Sequence, residues 1–173
     1  MSTKALAKLR KARSGGGFSI TQNTLTPWID QERSPVTSEM VNAGMLALRD
    51  TADEMIDYSA GRIQKNDSVF RGTLLNSGSV KETRKGYDVF YKADHAADVE
   101  EGSRPHWIPY TAIYSKLGPW AQKKLGDAKA AFALYYKIGT KGTRAKPFWR
   151  PTLARFDGMW RKHKRRRLKE VGK

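Results

Sequence analysis

Between Val41 and Ile63, apolar or small side chains recur at Val41, Met45, Leu48, Ala52, Met55, Ser59 and Ile63, always three or four residues apart. Steps of that size return to one side of an α-helix, so this spacing demands a continuous helical stripe. Arg49, Asp50, Asp53, Glu54 and Asp57 fall mostly off it. Ser34-Pro35 or Thr37-Ser38 can start the helix, with Glu39 in its first turn. The pattern predicts a helix over 36–65, about 45 Å long, whereas a compact domain of this mass is only about 40 Å across. Either the helix kinks, at Gly44 or Gly61, or the molecule is elongated and the stripe packs partly on a neighbouring subunit. Val41, Met45, Leu48, Met55 and Ile63 are therefore candidate subunit contacts.

After this helix the texture changes. Residues 79–83 and 87–92 flank Arg84-Lys85-Gly86 and read as a β-hairpin whose second strand alternates Tyr87, Val89 and Tyr91. A short helical turn over 94–101 ends at Gly102, which is expected to take a positive φ. A helix over 111–124, interrupted at Gly118-Pro119, and another over 127–138, capped at Gly139, come next. Residues 139–146 read as a loop or short ribbon. Pro151 stands where a first helical position belongs, and Leu153, Phe156 and Trp160 share one face of a final helix. The pattern predicts an α+β fold: a long helix in the N-terminal half, a small antiparallel sheet with a hairpin, and C-terminal helices. No internal repeat appears. The predicted divisions are a basic, poorly structured arm over 1–33, docked by Trp28-Ile29, one domain over 34–160, and a basic extension over 161–173.

The formal charge of +16 is unevenly distributed. Residues 1–14 carry Lys4, Lys8, Arg10, Lys11 and Arg13 with no acid, and residues 155–173 carry nine Lys/Arg against Asp157 and Glu170. The intervening chain is nearly balanced. Basic ends of this kind meet polyanions such as nucleic acid or an acidic protein face. Arg161, Lys162, Lys164, Arg165, Arg166, Arg167 and Lys169 place cations all round a helix, which is expected to bury no face except near Trp160 and Leu168. Packed so densely, they repel one another unless an anion is near. No helix-turn-helix, zinc-finger or RNP pattern is present, so contact with DNA would run through the phosphate backbone.

The chain has no cysteine, which removes disulfides, thiolate metal sites and a cysteine nucleophile. His95, His106 and His163 show no metal-ligand spacing, and Glu100-Glu101 point in different directions on a helix. No GxSxG, Walker or GxGxxG motif occurs, and Gly15-Gly16-Gly17 lacks the strand and helix that a phosphate loop needs. The expectation is a protein with no catalytic residues, no metal and no cofactor. No apolar run approaches the roughly 18 residues that span a bilayer, and no signal-peptide core opens the chain, so folding in a cytoplasm, away from membranes, is expected.

Three short stretches carry more than composition. They are Gly72-Thr73-Leu74-Leu75-Asn76-Ser77; Val99-Glu100-Glu101-Gly102-Ser103, continued by Arg104-Pro105; and Ala145-Lys146-Pro147-Phe148-Trp149-Arg150-Pro151-Thr152-Leu153. In this order and rough spacing they resemble the tail-component (neck, or tail-completion) family of long-tailed bacteriophages, over about residues 36–160. The chain departs from that pattern at His95, Glu101 and Thr152, where the family usually has Tyr, an aromatic residue and Ala. On the residues themselves, Pro147 and Pro151 stiffen a turn, Phe148 and Trp149 offer opposite-facing rings, Arg150 is placed for a carboxylate or carbonyl, and Glu100 for backbone amides of a nearby turn.

The resemblance implies a virion structural protein at the head–tail junction, made in the host cytoplasm, that completes the neck or tail so that heads and tails join. It implies a homo-oligomeric ring, six copies at that location, around the DNA channel, with connector or stopper and tail-terminator proteins as neighbours. Phe148 and Trp149 are further candidate subunit contacts, and the basic ends are candidates for acidic neighbours or for nonspecific contact with DNA. The alternatives are a free, sequence-nonspecific nucleic-acid-binding protein using the same ends, or another neck ring protein such as a tail terminator or head–tail connector.

Overall fold

The computed structural model describes residues 18–21, 38–66, 72–83 and 86–172. The predicted helix forms as α1, Ser38–Lys65, and it runs unbroken through Gly44 and Gly61. A turn at Leu75–Ser77 leads into the hairpin of β2, Gly78–Thr83, and β3, Gly86–Tyr91. A strand earlier in the chain, β1 at Phe18–Thr21, joins the far side of β3, giving an antiparallel sheet of order β1-β3-β2. Then follow α2, Ala96–Glu101, a π-helical turn at Ile113–Leu117, α3, Gly118–Leu125, α4, Ala130–Lys141, α5, Trp149–Leu153, and α6, Phe156–Val171. The α+β architecture is thus as the sequence predicts. The predicted division at 160/161 falls inside α6, and β1 lies in the stretch predicted as a poorly structured arm; the division at 33/34 lies outside the described residues. The chain instead separates into two compact units, one of Met1–Ala96 with Phe148–Lys173 and one of Ala97–Pro147.

In the first unit, α1 packs on α6, α5 and strands β2 and β3. Its buried face takes in Leu48, Ala52, Met55, Ser59 and Ile63 and widens to Ala43, Ala47 and Thr51. Leu48, Met55 and Ile63 are wholly out of water, each worth about 2 kcal/mol of burial. Thr51 donates its hydroxyl to the Ala47 carbonyl of its own helix at 2.7 Å, so its burial leaves no unmet polar group. Tyr87, Val89 and Tyr91 alternate inward along β3, as expected. Tyr91 is the hub: its hydroxyl meets Ser59 Oγ at 2.6 Å, and its ring lies 5.0 Å from that of Phe148 and 6.0 Å from that of Trp149, both edge to face.

The second unit has a small core of Ile113, Ala121 and Ala131, with Leu117, Trp120, Leu134 and Tyr135 packed partly against it. The expected interruption at Gly118-Pro119 does not occur. The Gly118 amide reaches back five residues to the Ile113 carbonyl, and the widened turn carries the chain past Pro119, which sits in the first turn of α3. Nor does Gly139 cap α4. It lies inside the helix, with the Trp107 indole seated where a Cβ would be, and the helix ends instead at Gly142. Past that end the expected short ribbon appears as a bridge. The Ser103 amide donates to the Thr143 carbonyl at 3.2 Å and the Thr143 amide to the Ser103 carbonyl at 3.1 Å, while the Lys146 amide donates to the Val99 carbonyl at 2.8 Å. Gly102 has φ +74° and Gly142 φ +73°, and a side chain on either would collide with the backbone of the opposite strand of this bridge.

Candidate interaction surfaces

The stripe proposed for subunit contact is, from Leu48 onward, already used. Leu48, Met55 and Ile63 are covered by the chain's own sheet and C-terminal helices, and only Val41 and Met45 are half-buried. The same correction applies to Phe148 and Trp149, which are 2% and 1% exposed. They do not face opposite ways into solvent. Both press on Tyr91, because burying two large rings against a third stabilises far more than presenting them. Thr152, where the resembling family has Ala, is buried as well, and its hydroxyl donates to the Phe148 carbonyl at 2.8 Å. Arg150 is exposed and Pro147 and Pro151 are half-buried. Glu100 is 7% exposed, Ser103 forms the bridge to Thr143, and Arg104 and Pro105 are exposed beside it. Ser103 thus ties the second unit within itself, while Phe148, Trp149 and Thr152 fill the core of the first.

The basic end of α6 also departs from expectation. The sequence predicts that the cations bury no face except near Trp160 and Leu168; instead Phe156, Met159 and His163 are buried within the first unit. The neutralising anions come from α1. Arg167 grips Asp50 with Nε at 2.8 Å and Nη2 at 3.1 Å, and Arg166 adds a contact of 2.7 Å. One turn along, Glu54 receives Lys162 at 3.0 Å and His163 Nε2 at 2.5 Å. Arg155 stacks over the Tyr58 ring at 4.8 Å. The Arg167 hydrogen bonds hold the Asp50 carboxyl below its ordinary pKa against the opposing pull of burial, with Arg166 assisting. Burial pushes Glu54 up, but hydrogen bonds from Lys162 and His163 outweigh it and its pKa also lies low. Asp50 and Glu170 in turn hold the Arg167 pKa above its ordinary value. Arg161, Arg165 and Lys169 remain exposed and Lys164 is half-buried. Lys4, Lys8, Arg10, Lys11 and Arg13, like the Trp28-Ile29 dock, lie outside the described residues.

The surface that sequence reasoning missed is in the second unit. Trp107, Tyr110, Tyr114, Phe132 and Tyr136 are between 39% and 64% exposed, yet they touch one another through the half-buried Tyr135 in one network. Tyr110 lies 6.1 Å from Tyr114 and 6.5 Å from Phe132, and Trp107 lies 5.2 Å from Tyr135 and 6.0 Å from Tyr136. Helix α4 supplies Phe132, Tyr135 and Tyr136 on one side, at helical spacing, and the irregular chain after Pro105 lays Trp107 and Tyr110 against them. The signal available beforehand was the density of rings over 107–136; nothing in their spacing shows which side faces water.

Among the described residues, no group of three or more His, Asp or Glu converges as metal ligands would, and no helix is long and apolar enough to cross a membrane. An open groove lined by Asp53, Ile56, Asp57, Gly78, Ser79 and Val80 runs along α1 and β2 in the first unit. The first unit closes its charged clasp within itself, and the second leaves its rings in water. Comparison with protein-family models, with curated protein sequences and with solved structures returns no match.

Proposed function

We propose that this chain is a virion structural protein at the head–tail junction of a long-tailed phage, one that completes the neck or tail and lets heads and tails join. The supporting observation is the order of elements around the three motifs. A long helix leads to the Gly72–Ser77 turn with Leu74 buried, then to a hairpin, a short helix closed by Gly102, and a buried Phe148-Trp149 pair that opens the terminal helices. Motifs that lock a fold in sequence order are what a small assembly protein needs, since its product is a fixed shape. Copies arranged about an axis would form a closed ring around the channel, six at this location. In that ring the exposed cations of α6 and the basic N-terminal stretch would meet acidic neighbours or passing DNA.

A free nucleic-acid-binding protein is the weaker reading, because Lys162, Arg166 and Arg167 are held by Asp50 and Glu54 of the same chain. Deletion of the gene tests the proposal. Full heads and free tails should accumulate unjoined; normal, infectious particles assembled without the protein would overturn it. Purified protein that binds duplex DNA tightly, with affinity falling along a log–log salt slope of about −0.9 per phosphate contacted, would favour the other reading.

A further inference from the structure

We infer that the aromatic face of the second unit is a docking surface for an acidic protein segment, one whose carboxylates flank an apolar centre. Five rings at 39–64% exposure leave about 550 Å² of aromatic surface in water, taking about 200 Å² per side chain. Solitary exposed rings are ordinary, but a contiguous patch of this size is at the upper end of what a monomer exposes, is often functional, and is large enough to fill the centre of a standard interface. Tyr and Trp are the residues that such centres favour, since each adds large area while ordering few rotors.

Charge selects the occupant. From Gly102 to Pro147 the chain carries nine Lys/Arg against the single acid Asp127. Lys129, just before α4 and three residues from Phe132, is exposed at the end of the ring cluster. A second copy meeting this face with its own would set like charges together, which disfavours self-pairing. Single-stranded nucleic acid would satisfy the charge, but bases stack on free ring faces. Here neighbouring rings stand at 60–88° to one another in all but one contact, so they form no parallel ladder on which successive bases could stack. What the face offers is a cluster of mutually tilted rings, three of them phenols, within a unit of positive charge, which suits aliphatic or aromatic side chains bordered by Asp and Glu.

The inference stands apart from the virion reading, and its test does not require a phage. The full-length protein is titrated with a labelled peptide in which Glu alternates with Leu and Phe, and with the same peptide carrying Gln for Glu, by fluorescence anisotropy at low salt. The Glu peptide should bind at least tenfold more tightly. A Tyr114→Ser/Tyr136→Ser variant, shown by thermal melting to keep its fold, should lose at least tenfold of that affinity. Equal binding of the two peptides, no binding of either, or affinity undiminished in the variant would overturn the assignment. So would the variant losing affinity only for an oligo-dT strand, or for anionic vesicles of phosphatidylserine and phosphatidylcholine. Sedimentation that shows wild-type protein self-associating, and the variant monomeric, would assign the face to a second copy instead.

Discussion

Along α1 the stripe from Leu48 to Ile63 is withdrawn from water, and the two carboxylates beside it, Asp50 and Glu54, hold four basic side chains of α6. Between Trp107 and Tyr136 the balance is reversed: a core of one Ile and two Ala lies beneath five rings that stand in solvent amid cations with one acid to offset them. The first region has met its apolar and electrostatic demands within the chain. The second leaves its rings in water and carries an excess of positive charge. Surface alone does not separate an interface from a core; what separates them here is whether the partners of a side chain are already present.

Substitutions should break this contrast in graded fashion. Trp149→Ala removes the ring pressed on Tyr91 and should cost about 3–5 kcal/mol, read as a large fall in melting temperature. Gly142→Ala should act on the second unit alone. Its φ of +73° is in a region that Ala enters at a cost of about 1–2 kcal/mol, and the Ser103 carbonyl blocks the new methyl group. Hydrogen exchange at the Ser103, Thr143 and Lys146 amides should quicken while that of α1 stays slow; equal quickening in α1 would show that the two regions are not separable.

Asp50→Asn should cost about 1–2 kcal/mol by releasing Arg166 and Arg167, with exchange rising in the second half of α6. Acid should do the same to the native protein. Because the folded-state pKa values of Asp50 and Glu54 are depressed, their contribution is complete above the ordinary carboxylate range near pH 4 and is lost as pH falls through and below it. Helical circular dichroism and α6 exchange, followed from pH 6 to pH 2.5, would show this, and the Asp50→Asn variant should show less of the change. Tyr114→Ser, at the most exposed ring, should move stability by no more than about 0.5 kcal/mol. A loss approaching that of Trp149→Ala would mean that the aromatic face belongs to the core.

The parts legible beforehand were those with local periodicity. The 41–63 stripe specifies α1, and the Tyr87, Val89, Tyr91 alternation specifies β3, because each pattern is written in adjacent turns or residues. What covers a face is not written there. The stripe is equally apolar whether α6 or a second subunit lies on it, so its assignment to subunit contact was open to error. The packing of α6 was hidden for a related reason: the acids that neutralise Arg166 and Arg167 lie more than 100 positions earlier, on α1. Gly139 looked like a stop because glycine usually ends helices, but a seat for Trp107 requires the same missing side chain. The motif residues were legible as a set, yet their common task of locking turns and filling the core appears only when Phe148 meets Tyr91 and Ser103 meets Thr143.

The paired strands at Ser103 and Thr143, with Val99 and Lys146 beside them, bring the two ends of one excursion of the chain side by side. A segment that departs and returns through one doorway can be lengthened, shortened or replaced as a cassette, because the gap it must span stays the same. Variation in sequence and length can therefore accumulate between residues 104 and 142, with α1, the sheet and α6 left as they are.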